Sequence, residues 1–185
     1  MSVLTETIRV TGSGMHRIIY VTGGARSGKS SYALSLALGY ANRYFLATAE
    51  PFDDEMQERI RKHRLERKEG FTTIEEPLFL DRALSLLPVS ADVVLLDCLT
   101  VWSGNMMHHL EDDKAIDKCI TALLAALPAL SCDCIVVSNE VGMGIVPENP
   151  LARRFRDIAG IVNQKVAALA TDAYLLCSGI PLKLR

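Results

Sequence analysis

The sequence predicts an α/β fold in which a mostly parallel sheet is covered by helices on both faces. Three observations lead to this prediction. Apolar runs of strand length alternate with helical patterns, a glycine-rich loop joins the first strand to the first helix, and a central apolar run ends in a carboxylate. Strands separated by helices pair in parallel, because a parallel pair needs a long crossover connection.

The chain of 185 residues is long enough for one domain, which we place over 16–185. No linker, internal repeat or low-complexity tract divides it. Residues 1–15 match none of the patterns described below and lack the apolar core of a secretory signal. Met15 stands directly before the first strand, so we expect these residues to be either a flexible tail or a mis-assigned start.

Composition excludes several classes of protein. The net charge is −2, so nothing indicates a nucleic-acid partner or a membrane surface. No apolar run approaches the roughly 20 residues of a membrane span, so membrane insertion is not expected. The five cysteines form no Cys-x-x-Cys pair and lie mostly in apolar segments, as free thiols do in a reducing cytoplasm. We therefore expect a cytoplasmic protein.

The glycine-rich loop matches the phosphate-binding pattern in full: a glycine, four residues, then Gly-Lys-Ser. An apolar strand over 18–21 precedes it and a helix over 31–38 follows, which is the context that the pattern needs. Backbone N–H groups of such a loop surround phosphate oxygens, Lys29 reaches the outer phosphates, and the Ser30 hydroxyl can bind Mg²⁺. The predicted loop consists of Gly23, Gly24, Ala25, Arg26, Ser27, Gly28, Lys29 and Ser30.

The remaining elements follow from the spacing of apolar residues and from start and stop signals. Strands are predicted over 43–48, 92–97, 134–138 and 173–177, with a short one over 181–184. Helices are predicted over 53–69, 78–87, 102–127 with a break near 111–113, and 150–171.

Asp97 is the second candidate for the nucleotide site. It ends a buried apolar run, and the carboxyl ends of parallel strands open into the crevice where such sheets bind ligands. A carboxylate there holds Mg²⁺ in phosphate-loop proteins. The alternative is that Asp97 caps the helix that follows, and both roles can coexist.

Histidines supply the third candidate. His63 lies on the predicted 53–69 helix, on the same face as Met56 and Ile60, and a neutral imidazole can attack phosphorus. Spacing alone favours a hydrogen-bonded packing role. His108 and His109 are adjacent, so on a helix they point about 100° apart and should not share a face. We expect both at the surface.

The motifs together resemble those of one family, the bifunctional adenosylcobinamide kinase/adenosylcobinamide-phosphate guanylyltransferases of cobalamin biosynthesis. The resemblance runs from about residue 18 to the C-terminus and depends on an ordered set of motifs. They are Thr22-Gly23-Gly24-Ala25-Arg26-Ser27-Gly28-Lys29-Ser30, Ala47-Thr48-Ala49, Asp54-Glu55-Met56, Arg59-Ile60, His63-Arg64, Glu75-Glu76-Pro77, Leu95-Leu96-Asp97-Cys98-Leu99-Thr100, Ser138-Asn139-Glu140-Val141-Gly142-Met143-Gly144-Ile145-Val146-Pro147, Arg153, Phe155-Arg156-Asp157, Gly160 and Asn163-Gln164.

This resemblance implies a RecA-like sheet, a homotrimer and two reactions. ATP or GTP phosphorylates the aminopropanol hydroxyl of adenosylcobinamide. GTP then guanylylates a histidine, at the position of His63, and the corrinoid phosphate takes the GMP to give adenosylcobinamide-GDP. Mg²⁺ is the implied cofactor, with Ser30 and Asp97 as its ligands. Besides loop 23–30, the implied nucleotide site contains Thr48, Ala49, Glu50, Arg64, Leu65, Glu66, Arg67, Glu75 and Asp97.

Three other functions compete with this interpretation. A single-function phosphate-loop kinase would need Lys29 and Asp97 but no nucleophilic histidine. A GTP-operated switch would need an Asn-Lys-x-Asp motif, which Ser138-Asn139-Glu140-Val141 does not provide. A RecA-like recombination module would need a basic surface. The glycines of 139–144 fit either a ligand cleft or a tight turn, and the sequence favours neither.

Overall fold

The computed structural model describes residues 16–51, 54, 57, 58, 61, 70–110 and 112–185. Seven strands form one sheet in the order β3-β2-β4-β5-β1-β6-β7, and all pair in parallel except β7, which is antiparallel to β6. This confirms the predicted mostly parallel sheet. The strands are β1 (Ile18–Gly23), β2 (Arg43–Ala47), β3 (Phe71–Glu75), β4 (Val93–Asp97), β5 (Asp133–Asn139), β6 (Asp172–Cys177) and β7 (Ile180–Lys183).

Helices cover both faces of this sheet, as predicted. In β4, Val94 and Leu96 point to the face covered by α2 to α5, whereas Val93 and Leu95 point to the face covered by α1. All four side chains are fully buried, which explains why β4 is a continuous apolar run. The helices are α1 (Lys29–Ala37), α2 (Leu80–Ser85), α3 (Leu99–His109), α4 (Asp113–Ala126) and α5 (Pro150–Leu169).

The helix predicted over 102–127 is two helices, α3 and α4. The backbone is extended at Leu110 and Asp112, and the Asp112 side chain caps the start of α4 by accepting a hydrogen bond from the Ala115 N–H at 2.8 Å. The predicted break near 111–113 is therefore confirmed as a full separation. No helix among the described residues is long and apolar enough to cross a membrane.

The helix predicted over 53–69 lies largely outside the described residues. Asp54, Gln57, Glu58 and Arg61 are helical. His63 and residues 64–67 are not among those described, and neither is the extension over 1–15.

A hydrogen-bonded cluster closes the amino-terminal edge of the sheet. Asp133, at the start of β5, accepts bonds from the Arg17 backbone N–H (2.7 Å) and from the Tyr40 hydroxyl (2.5 Å). Arg17 also donates to the Tyr40 oxygen at 2.6 Å. Burial raises the pKa of Tyr40 to about 12, and the neighbouring Asp133 adds to the shift. The cluster ties the end of α1 to β1 and β5, at the edge opposite to the candidate site.

Candidate active site

The phosphate-binding loop joins β1 to α1 at the carboxyl edge of the sheet, as predicted. Two of its glycines are required by geometry. A Cβ on Gly23 would collide with the Leu176 carbonyl oxygen, and Gly28 has a φ of 95° as the N-cap of α1. The loop therefore curls tightly against β6 and delivers the N-terminus of α1 to the site, where its N–H groups favour an anion.

Lys29 lies over this loop. Its side chain is buried, with 7% exposure, and its Nζ donates to the Gly24 carbonyl oxygen (2.5 Å) and to Ser27 Oγ (3.3 Å). The ammonium group is therefore held at the centre of the loop by neutral oxygens. Phosphate oxygens arriving there would meet a cation that is already in position.

A hairpin turn that we did not predict from the sequence supports the loop from behind. The Gly179 N–H donates to the Ser27 carbonyl oxygen at 2.9 Å, and a Cβ on Gly28 would lie 3.2 Å from the Gly179 Cα. Ser178 and Gly179 join β6 to β7 with φ values of 49° and 82°, as in a type I′ turn. The Ser-Gly dipeptide before the last apolar run was the available signal.

Asp97 lies at the same edge as the loop. It ends β4, is half-buried and pairs in register with Val137 of β5, the strand that separates β4 from β1. Two strand spacings place the ends of β4 and β1 about 10 Å apart. The N-cap position of α3 belongs to Cys98, whose side chain makes no capping bond, so Asp97 is not the N-cap residue.

Ser30 and Asp97 offer a hydroxyl and a carboxylate, both half-buried at this edge. These are the hard oxygen ligands that Mg²⁺ prefers, and Mg²⁺ on a nucleotide needs few protein ligands because phosphates and waters complete its shell. No group of three or more His, Cys, Asp or Glu side chains in the described part of the chain could hold a metal by itself. The residues therefore fit a nucleotide-borne Mg²⁺.

Helix α3 holds the segment that follows β2. Thr48 is fully buried, and its Oγ1 donates to the Cys98 carbonyl (3.0 Å) and accepts from the Cys98 N–H (2.9 Å). One turn further along α3, the Trp102 indole donates to the Leu78 carbonyl at 2.8 Å. Asn105 donates to the carbonyls of Thr48 (2.7 Å) and Pro77 (2.9 Å). Backbone groups at the carboxyl edge are thus fixed along one face of α3.

The last residue of α3 continues this face. His109 Nε2 lies 2.6 Å from Glu50 Oε2, so α3 also anchors the end of segment 48–50. His108 and His109 are exposed, as predicted, but their rings meet edge to face with centroids 4.8 Å apart. Side-chain rotation brings the two rings into contact although consecutive residues of a helix point about 100° apart.

A buried polar network fixes the end of β5 beside the loop. Ser138 Oγ donates to Asn163 Oδ1 at 2.6 Å, and Asn163 Nδ2 donates to the Asn139 carbonyl at 3.0 Å. The Asn139 N–H donates to Thr100 Oγ1 at 2.6 Å. Asn139 pairs with Gly23, so this network sets the position where the phosphate-binding loop begins.

The other predicted site residues occupy different positions. Ala49 is half-buried between Thr48 and Glu50, and Glu75 is exposed at the end of β3, where it pairs with Ala47. The four residues of 64–67 and His63 lie outside the described residues. The structure therefore brings the loop, Asp97 and segment 48–50 to one edge of the sheet.

Two ATPases of known structure have a similar fold. The chain matches an ATPase from the type III secretion system of pathogenic bacteria with a TM-score of 0.53 and 9% identity, over 88% of this chain and 51% of that one. It matches a second solved ATPase domain with a TM-score of 0.50 and 12% identity, over 89% of this chain and 70% of that one. These likenesses show the RecA-like fold alone.

Sequence relatives are much closer. The chain is 42% identical over 180 residues to the bifunctional adenosylcobalamin biosynthesis protein CobU of Escherichia coli K12, covering 91% of this chain and 99% of that protein. It is 40% identical over 167 residues to the bifunctional adenosylcobalamin biosynthesis protein CobP of Pseudomonas aeruginosa. This match covers 89% of this chain and 95% of that protein.

The family model described as cobinamide kinase/cobinamide phosphate guanyltransferase matches residues 19–184. This match reaches every strand and helix named above, including the phosphate-binding loop and Asp97. It confirms the resemblance inferred from the motifs and favours a bifunctional enzyme over a single-function kinase. The chain therefore belongs to the cobinamide kinase/cobinamide phosphate guanyltransferase family.

Proposed function

We propose that this chain phosphorylates adenosylcobinamide and then transfers GMP from GTP to the corrinoid phosphate, giving adenosylcobinamide-GDP and pyrophosphate. The observation that carries the proposal is the buried ammonium of Lys29 over a complete phosphate-binding loop, in a chain that matches the family model over 19–184. ATP or GTP serves as phosphate donor in the first reaction.

The kinase step needs no covalent intermediate. The aminopropanol hydroxyl oxygen forms a bond to the γ-phosphorus while the bond from that phosphorus to the leaving nucleoside diphosphate breaks. Negative charge develops on the phosphate oxygens, next to Lys29 and the N-terminus of α1. Ser30 and Asp97 would hold the Mg²⁺ that neutralises the rest. The hydroxyl proton leaves to solvent or to a nearby base.

The guanylyl transfer proceeds in two displacements. A ring nitrogen of His63 attacks the α-phosphorus of GTP, and the bond to the β-phosphate oxygen breaks as pyrophosphate leaves. An oxygen of the corrinoid phosphate then attacks the same phosphorus and releases the imidazole. Arg64 and Arg67 follow His63 in the sequence and would compensate the charge on the phosphates. Each displacement needs only one pair of reactants to be aligned.

The nucleotide site in this proposal includes loop 23–30 and Asp97, together with three further segments. Thr48, Ala49 and Glu50 are held beside α3, with Glu50 fixed by His109. Residues 64–67 and Glu75 complete the set by family resemblance. We further propose that the protein is cytoplasmic, which its free thiols support, and that it forms a homotrimer, which the family resemblance supports.

Incubation with GTP carrying a labelled α-phosphate tests the proposal. Wild-type protein should acquire covalent label that is labile to acid and stable to base, as a phosphoramidate is. His63→Ala should lose the label and adenosylcobinamide-GDP formation but keep most phosphorylation of adenosylcobinamide. Lys29→Ala should lose both reactions, by at least about 10²-fold, because it lacks a preorganised cation at the phosphates.

The alternative, a single-function kinase, gives a different pattern. It would leave wild-type protein unlabelled while phosphorylation of adenosylcobinamide or another alcohol persists. Label on His16, His108 or His109 that survives in His63→Ala would contradict the role given to His63. Mass spectrometry of the labelled peptide separates these results.

A further inference from the structure

A cleft of about 460 Å³ lies between α5 and the loop that follows β5. Gly144 lines it from the loop, and Gly160 lines it from the helix. The loop leaves β5 at Asn139, which pairs with Gly23 at the start of the phosphate-binding loop. The cleft therefore begins at the edge of the sheet that carries the nucleotide site.

No described residue requires a glycine at either position. Both have φ outside the left-handed region, and a Cβ added to either would have no atom of the described residues within 4 Å. Glycine in the interior of a helix is less stable than alanine, so Gly160 weakens α5, and no described residue gives a packing reason for it. Gly23 and Gly28 differ, because close contacts or a positive φ demand them. Two glycines that face one cleft, with no such demand from the described residues, leave room for a ligand to approach the backbone closely.

The polar side chains of the cleft also lack partners among the described residues. The side chains of Arg156, Asp157 and Gln164 line it, and no hydrogen bond or ion pair joins any of these side chains to another described residue. Together they offer donors, acceptors and an amide that does both. Val146 supplies an apolar wall and is 58% exposed.

The loop that forms one wall is fixed at both ends. The Glu140 carboxylate accepts a bond from the Gly142 N–H at 2.6 Å. Arg153 donates to the carbonyls of Pro147 (2.9 Å) and Glu148 (2.6 Å). Two apolar side chains between these anchors, Met143 and Ile145, are 81% and 97% exposed. The anchored loop thus exposes apolar surface to water next to the cleft. Contacts with other described residues leave most of this surface uncovered, and exposed apolar surface of this kind often marks a binding site.

We propose that this cleft binds the corrinoid substrate through its carboxamide-bearing rim, an inference that rests on the proposed function. A corrinoid is broad and largely apolar, with neutral amides around its edge. The glycine backbone and the exposed apolar side chains can pack against its faces. The side chains of Arg156, Asp157 and Gln164 can form hydrogen bonds with its amides. A phosphate group fits less well, because the Asp157 carboxylate would repel it.

Gly160→Leu tests the proposal, with Gly160→Ala and Gly144→Leu as further variants and Gly104→Ala as the matched control. Gly104 lies within α3, where an added Cβ would meet the Phe155 ring at an ordinary 3.9 Å. Both alanine variants should melt at the same temperature as wild type or higher. Gly160→Leu should raise the KM for adenosylcobinamide in the kinase assay at least about tenfold, a difference of about 1.4 kcal/mol.

Labelling by GTP in the absence of corrinoid should stay at the wild-type rate in every variant, because that half-reaction does not use the cleft. A wild-type KM in both leucine variants would overturn the inference. So would a raised KM that appears only where size-exclusion chromatography shows altered assembly, because the cleft would then be a contact between copies of the chain.

Failure of the proposed function gives a separate result. Wild-type protein would then not be labelled by GTP, whereas equilibrium dialysis with adenosylcobinamide would still report on the cleft. Binding that is weakened by Gly160→Leu and unchanged by Gly104→Ala supports the inference independently. Equal binding by all four variants overturns it.

Discussion

Replacing Thr48 with valine should destabilise the protein while keeping its side-chain shape. The change removes a hydroxyl that makes two hydrogen bonds to the backbone of Cys98, at 2.9 and 3.0 Å, in a fully buried position. The Cys98 carbonyl still accepts from the Trp102 N–H at 3.1 Å, so the principal loss is the bond from the Cys98 N–H. Loss of a buried hydrogen bond of this kind lowers the free energy of unfolding by about 2 kcal/mol.

For a chain of this size that loss corresponds to a fall in Tm of about 4–8 °C. Thr48→Ser is the control, because it keeps the hydroxyl and loses one methyl group, at about 1 kcal/mol. Scanning calorimetry should therefore rank wild type above serine and serine above valine. Cys98 follows Asp97, the proposed Mg²⁺ ligand, so the valine variant should also need more Mg²⁺ for half-maximal turnover. If the valine variant is as stable as the serine variant, the Thr48 hydroxyl does not stabilise the backbone that follows β4.

Three further predictions concern single side chains. The pKa of Tyr40 is raised to about 12 in the folded protein, whereas the unfolded phenol ionises at about pH 10. The free energy of unfolding should therefore fall as the pH rises from about 10 to about 12. Thermal unfolding of Tyr40→Phe should show a shallower fall over the same range. His109→Gln and Glu50→Gln should each lower the free energy of unfolding by less than about 1 kcal/mol. In a double-mutant cycle, the double variant should lose no more than one single variant does, and additive losses would exclude the contact. A chromogenic disulfide reagent should react with exposed Cys177 in the native protein but with Cys119 only after unfolding, because burial raises the pKa of Cys119 to about 11.

The predictable parts of the fold are those in which a side-chain pattern reports burial directly. β4 is apolar at every position over 93–96 because both of its faces are covered, and α5 buries Val162 and Val166 one turn apart. The phosphate-binding loop was identified from its motif, in which Gly23, Gly28 and Lys29 lie within eight consecutive residues. Each of these signals is contained within a few consecutive residues.

The parts that escaped prediction depend on contacts between distant segments. β3 is an edge strand with exposed and half-buried side chains, so it lacks the apolar run of a central strand. Asn105 donates hydrogen bonds to two backbone carbonyls. Every residue has such a carbonyl, so the residue types of the two partners could not reveal these contacts. The support of the loop by Gly179 is similar, since it joins residues that are distant in sequence.

Helix α3 connects the parts of the site that the two reactions share. It begins directly after Asp97 and Cys98, its Thr100 binds the backbone at the end of β5, and its last residue holds Glu50. A helix of 11 residues moves largely as one body, so a shift of α3 displaces Asp97, the end of β5 and segment 48–50 together. Substitutions on the buried face of α3 should consequently slow phosphorylation and guanylylation in parallel. A change at His63 should instead separate the two reactions, because in the proposed mechanism it removes the nucleophile of the guanylyl transfer alone.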